Sequence, residues 1–399
     1  MTERGASGTP PRRVDPAALP ASCRVGSGSR IFAGDLQVGE DVVIGDNVTL
    51  VGDRVVLGSG VTIDSGCDLR AGVLEIGERS EIAPDVQVLV AESFLLGMAA
   101  RVSSRVRILC RDFSAGRLYY MGDEACVGYG GTTTSTARVK IGHHVTIGQH
   151  SILNSNHLIE IGDDVGTGSY LALWTHGYHF GHGPLEGIEP AYAAIRVERN
   201  AWLGFQVTLL PGVTVGENSI LAAGSVVTRS IPPNVLAAGA PAKVKKELGD
   251  QSVRGAEAVE AVARVLRAWQ RELEWKGCSV TGDFERPEGA EITVRLADGS
   301  GSTRVVLLAD GQGVPERQAD AETLVLVTVD ERPEIGALAD ASTSVFHLRA
   351  GRLRGARTPV VEDLRDQFRR YAMPCGDDRT FSSIEPQPFA RLRAVTSGG

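Results

Sequence analysis

The chain is 399 residues long, more than one hydrophobic core ordinarily holds, so two domains are expected. A formal net charge of -8 argues against nucleic acid as the main partner, because binding a phosphate backbone calls for a basic surface. The hydrophobic share of 42% is that of a soluble protein, and no apolar run reaches the length of a bilayer span, which excludes a membrane partner.

Residues 1–30 have no apolar core of the kind a secretory signal needs and are rich in Gly, Pro, Ser and Ala, so they read as a flexible tail. Six scattered cysteines with no close pair fit neither a disulfide framework nor a zinc knuckle, and they point to a reducing cytoplasm. With 48 glycines against 5% aromatic residues, the backbone is expected to turn many tight corners.

From Val38 onward a branched aliphatic residue returns every six positions. The inward places are Val38, Ile44, Val51, Leu57, Ile63, Leu69, Ile76, Ile82 and Val88, with single insertions before Val51 and Ile76. A second block gives Ile141, Ile147 and Leu153, a third Ile161, Thr167 and Leu173, and a fourth runs Val197, Leu203, Leu209, Val215, Leu221 and Val227. Six is a multiple of the strand period but not of 3.6, so these residues stack on one side only if the chain is extended. Small or β-branched residues at the fifth places (Ala201, Val207, Val213, Ser219, Ser225) suit a tight interior near a corner. Three hexads make one triangular turn, and about seven such turns would build a solenoid roughly 30–35 Å long. Antiparallel hairpins rarely hold so strict a phase.

The phase breaks after Leu173, where "WTHGYHFGHGPLEGIEPAYAAIRVERN" intervenes, and residues 174–196 read as a loop leaving the rod at a corner. The loop carries His176, His179 and His182. Their two-residue gaps in a Gly-rich segment are poor preorganisation for tetrahedral zinc, so no metal site is assigned. His143, His144, His150 and His157 are expected to face solvent or a neighbouring subunit.

"VERNAWLGFQVTLLPGVTVGENSILAAGSVVTRSIPPNVLAAGAPAKV" resembles the final turns of the hexapeptide-repeat acyltransferases, which include the maltose, galactoside and xenobiotic acetyltransferases. The resemblance is close from Ile141 to Lys246, extends as repeat alone from Val38 to Val90, and leaves the last third of the chain uncovered. It implies a mainly β fold, a left-handed parallel β-helix over 31–246, opposite in hand to nearly all other parallel crossovers. It also implies a homotrimer with acyl-CoA clefts between subunits.

The family's catalytic histidine follows a hexad in a pattern that "LALWTHGYHF" matches at Thr175-His176, which makes His176 the expected general base, with His179 in reserve. By the same resemblance Trp202 and Gly204 stand beside the donor groove. The small residues Ala222, Ala223, Gly224 and Ser225 would let a pantetheine arm approach backbone N–H groups able to steady an oxyanion, with Arg229 and Lys243 meeting the nucleotide phosphates. Trp174, Tyr178, Phe180 and Tyr192 would line the acceptor pocket, with Glu186 and Glu189 either contacting a cationic acceptor or solvated. No cysteine or serine stands in a nucleophile motif beside the loop, which favours direct attack over an acyl-enzyme.

Beyond the rod, Val259, Val262, Leu266, Trp269 and Leu273 share one helical face in a connecting helix over 247–277. Residues 278–399 read as an α+β accessory domain of unknown role, with strands near "EITVRL", "TRVVLLA", "ETLVLVTV" and "SVFHLR" and a helix near "PVVEDLRDQFRRYA". Arg349, Arg352, Arg354 and Arg357 in "RAGRLRGAR" form either a phosphate contact or a solvated basic edge. The expected function is a cytoplasmic O-acetyltransferase moving an acetyl group from acetyl-CoA to a hydroxyl of a sugar or small polar metabolite, without metal. An amine acceptor would use the same mechanism. The alternatives are a non-catalytic β-helix scaffold, a zinc enzyme of the carbonic anhydrase type, and transfer from an acyl carrier protein.

Overall fold

The computed structural model describes residues 10–128, 134–177, 179, 181–250, 252–285, 290–299, 301–309, 311–314, 323–376 and 378–394. They form two compact units, one built on residues up to 250 with 378–380, the other on the remainder.

The first unit is a three-sided coil of parallel strands. Face three takes short strands such as Val43–Ile44, Thr62–Ile63 and Trp202–Leu203; faces one and two share long strands such as Thr49–Leu57 and Asp68–Ile76 in the early coils. In later coils the long strand divides, so that Ile152–Asn154 and Ala172–Trp174 lie on face one while Ile159–Ile161 and Ile195–Val197 lie on face two. Ten parallel strands stack on face one, from Arg30–Val38 to Val226–Val227, which at the spacing of neighbouring strands is about 45 Å of coil. The sequence suggested a shorter rod because the stretch between Val88 and Ile141 hides its phase. Its inward places are Leu96, Val102, Ile108, Ala115, Met121 and Val127, all buried in the same core.

Two expectations are corrected. Residues 10–30 are not a tail: Arg12–Arg13 pairs antiparallel with Arg30–Val38, and Arg24–Val25 opens face three in parallel with Val43–Ile44. Val51 is half-exposed, and the inward place belongs to fully buried Leu50, six residues after Ile44. The extra residue sits after the core position, where Thr49–Leu57 bends from face one to face two.

That bend is where every departure from the six-residue phase is absorbed. The step from face one to face two has one extra residue between Leu50 and Leu57, two between Val88 and Leu96, and two between Leu153 and Ile161. Between Val127 and Ile141, and again between Leu173 and Val197, it takes up a whole segment. The steps onto and off face three stay regular because the coils touch there through backbone. A Cβ on Gly204 would stand 2.7 Å from Ala223 N of the next coil, so nothing larger fits. The extra residues therefore all fall in the step from face one to face two.

The second unit is a six-stranded mixed sheet in the order Ser279–Asp283, Glu291–Arg295, Ser302–Leu308, Thr323–Thr328, Thr343–His347 and Arg352–Gly355. The three middle strands run parallel and the outer pairings are antiparallel. Helices Gly255–Trp275 and Pro359–Arg370 share one core with the sheet through Val262, Leu266, Trp269, Leu364 and Phe368, so the first helix is part of this unit and not a connector. Buried Asp363 ties them together, accepting from Trp269 Nε1 at 2.8 Å, Lys276 Nζ at 2.5 Å and Ile384 N at 2.7 Å. Three arginines of the basic run are paired within the unit, Arg349 with Asp330, Arg352 with Glu331 and Arg357 with Glu362, while Arg354 is exposed with no ion pair among the described residues.

Candidate active site

The site grows from the end of strand Ala172–Trp174. Thr175 is fully buried, its hydroxyl donating to Asn154 O at 2.7 Å and accepting from His157 N at 3.0 Å, while its carbonyl accepts from Ala193 N at 3.0 Å. It thus pins both ends of the excursion to the coil below. Strand His176–Gly177 then runs antiparallel to Ala191–Tyr192, with His176 opposite Tyr192. The half-buried imidazole lies 6.1 Å from Tyr192 in a stacked arrangement and 6.1 Å edge-on to Trp174. Burial disfavours the imidazolium and holds the His176 pKa below the ordinary histidine value. The ring is therefore neutral at neutral pH, the form a general base requires.

His179 is exposed and contacts His182 edge-on at 4.7 Å. Tyr178 and Phe180 lie outside the described residues. Glu186 accepts from Gly183 N at 2.7 Å and closes the turn Pro184–Glu186, which gives it a local structural task, and Glu189 is exposed. Leu185 at the tip is 98% exposed. Among the described residues no group of three or more His, Cys, Asp or Glu side chains is placed to hold a metal, and no helix is long and apolar enough to cross a membrane.

The donor-side residues stand elsewhere. The Trp202 indole, half exposed on face three, lies against Gly166, where a Cβ would come within 2.7 Å of its ring carbons. Ala223 and Gly224 are exposed at the corner between faces three and one, and Gly224 has φ +71° with open space where a side chain would go. Ser225 is corrected: its side chain turns inward, fully buried, with Oγ donating to Ala222 O at 2.6 Å. The N–H groups of Ala222, Gly224 and Ser225 are also occupied within the coil, by Ala237 O, Phe205 O and Ala222 O, because a regular coil leaves few backbone donors over. Ala223 N–H has no partner among the described residues. Arg229 and Lys243 are exposed and form no ion pair among the described residues.

His176 and the donor corner do not meet within one chain. They lie on opposite borders of face one, and the donor corner belongs to a coil two strand spacings, ~10 Å, beyond that of His176. Sequence reading also missed Asn154 and Ser155 in the coil beneath Trp174. Both Asn154 amide atoms and Ser155 Oγ are buried with no hydrogen-bond partner among the described residues, and Asn154 pairs in register with Trp174. The signal was the polar "NSNH" that delays the phase between Leu153 and Ile161.

Residues 194–229 match the family described as bacterial transferase hexapeptide (six repeats). The galactoside O-acetyltransferase of Escherichia coli (strain K12) is 36% identical over 116 residues, 28% of this chain and 57% of that protein. A putative acetyltransferase of Staphylococcus aureus (strain MRSA252) is 40% identical over 136 residues, 30% of this chain and 66% of that one. The chain thus spans about 57–66% of the length of these relatives. A solved galactoside acetyltransferase in complex with coenzyme A is 25% identical, covering 39% of this chain and 66% of that one, with a TM-score of 0.22. The polySia-specific acetyltransferase NeuO is 18% identical and covers 63% of this chain and 99% of its own, with a TM-score of 0.25.

Proposed function

We propose, for a chain whose coil belongs to the hexapeptide-repeat transferases, that it moves an acetyl group from acetyl-CoA to a hydroxyl of a small polar acceptor, with His176 as general base. The observation that carries the reading is the neutral, half-buried His176 ring, held between Trp174 and Tyr192 at the edge where the coil releases its longest excursion. An imidazole nitrogen takes the hydroxyl proton as the oxygen attacks the thioester carbonyl. The resulting oxyanion is met by Ala223 N–H, the C–S bond breaks, and the imidazolium returns its proton to the leaving thiolate. Because Ala223 and His176 lie on opposite borders of one face, the reaction needs the donor corner of one subunit against the histidine edge of another. A homotrimer built on the family's left-handed coil supplies that arrangement, and the fully exposed Leu185 gives the excursion an apolar tip for a neighbour to cover.

On the donor side, Trp202 and Gly204 border the groove, Ala222 to Gly224 form its floor with Ser225 buttressing the corner from within, and Arg229 and Lys243 meet the phosphates. On the acceptor side the lining comes from Trp174 and Tyr192. The six free cysteines suit a reducing cytoplasm. Release of free thiol from acetyl-CoA, screened over sugars and amino alcohols, tests the proposal. Release that appears with an acceptor and disappears in His176→Ala supports it, and thiol release from no acceptor, together with no binding of acetyl-CoA, refutes it.

A further inference from the structure

We infer that the acceptor carries an alkyl-bearing anion, seated in a groove on face one below the histidine edge. The groove has a volume of about 470 Å³ and crosses four parallel strands. One wall is polar, with Asp68, Gln87, Arg107 and Cys126 following one another in register. The other, two residues further along each strand, is Arg70, Leu89, Leu109 and Gly128. Leu89 and Leu109 are 58% and 40% exposed, unusual for adjacent leucines on an otherwise regular coil.

The charges are unevenly spread. Arg70 is neutralised by Asp68 through two hydrogen bonds of 2.7 and 2.9 Å, whereas Arg107 forms no ion pair among the described residues. One uncompensated guanidinium therefore faces a wall of leucine. A bare sugar would call for aromatic platforms or dense hydrogen bonding, while methylenes beside one anionic group match both walls.

The groove also points at the site. Gly128, at its upper end, donates its N–H to Leu153 O at 2.9 Å, and the same column continues to Asn154 and Trp174. From Leu109 to Trp174 is three strand spacings, about 14 Å. A ligand lying there directs its free end towards the Asn154 amide, unpartnered among the described residues, and the His176 edge. The acceptor assignment rests on the transferase reading, while the groove's occupancy can be measured without it.

The test is calorimetric titration of the full chain with decyl phosphate below its micelle concentration, beside decyl maltoside and inorganic phosphate. Decyl phosphate is expected to bind at least about tenfold more tightly than either control, a preference that Arg107→Gln abolishes and Leu109→Gln weakens, with circular dichroism unchanged. Equal binding to wild type and Arg107→Gln, or no saturable binding, overturns the inference. So does a change of oligomeric state in Leu109→Gln, which would make this face an interface between copies. Thiol release from acetyl-CoA, read on the same samples, separates the two claims: transfer without decyl phosphate binding removes the groove alone, and binding without transfer to any acceptor removes the acceptor assignment with the transferase reading.

Discussion

Replacing His176 removes the only half-buried imidazole of the excursion and leaves its backbone ladder with Tyr192 and the Thr175 anchor in place. A positioned general base contributes roughly 10²- to 10⁴-fold, or about 3–5 kcal/mol of barrier, so kcat in His176→Ala is expected to fall by that factor with little change in the KM for acetyl-CoA. The sign of the pH effect follows from burial. Desolvation penalises imidazolium, so the proton leaves at a lower pH than from an ordinary histidine of about 6.5, and the neutral base is fully present at pH 7.5. The pH–rate profile should rise along an acid limb with its midpoint below about 6.5 and then level off. His176→Gln should flatten that limb. The exposed His179 serves as the internal control, since His179→Ala is expected to change kcat by less than about threefold. The assay is thiol release from acetyl-CoA between pH 5 and 9. A His176→Ala enzyme retaining more than about a tenth of wild-type kcat, or a His179→Ala enzyme that loses the acid limb, would refute the assignment.

Other perturbations test other parts of the molecule. Gly166→Ala places a methyl group 2.7 Å from the Trp202 ring carbons, so the indole must swing off face three; the KM for acetyl-CoA should rise several-fold, about 1 kcal/mol, with kcat nearly unchanged. Leu209→Ala empties a fully buried place in the coil and should cost about 2–5 kcal/mol, read as a lowered midpoint of the coil's unfolding transition by calorimetry. Asp363→Ala strands the Lys276 ammonium and the Trp269 N–H in a dry interior and should destabilise the second unit by about 3–5 kcal/mol in urea titration. Native thiol titration should find Cys23 reacting first, because burial pushes the Cys67 thiol up to about 11 and Cys110 and Cys375 up to about 12.

The coil was legible because its rule is local. An inward residue such as Leu203 or Leu221 sits on coils above and below that obey the same spacing, so the period alone locates it. Between Val88 and Ile141 the rule is still obeyed, but the step from Val88 to Leu96 has two extra residues and that from Ile108 to Ala115 has one. A reader counting sixes loses the phase there, although the coil does not. The second unit shows the complementary case. Apolar strands such as Thr323–Thr328 and the amphipathic helix Gly255–Trp275 announced themselves, whereas Arg352–Gly355 did not, because a short edge strand with one buried residue carries no periodic signal. The ion pair that absorbs Arg352 comes from Glu331, remote in sequence.

The active-site reading was legible as an interruption and illegible as a destination. That the phase fails after Leu173 is plain from the residues, and so is the chemical suitability of a histidine just beyond. Which edge the excursion leaves by depends on how many residues each earlier coil spends in passing from face one to face two, a sum over distant insertions. At that edge Thr134 and Thr136 donate to Asn156 O and Thr175 binds Asn154 O, so described residues on either side of three interruptions meet there. Buried amide and hydroxyl groups without partners among the described residues, at Asn154 and Ser155, then have a physical meaning that the string "NSNH" could not convey. Neighbouring coils pair most of their backbone groups with one another, and the Asn154 and Ser155 side-chain groups, which meet no partner among the described residues, stand at the polar interruption from which the chain passes to face two.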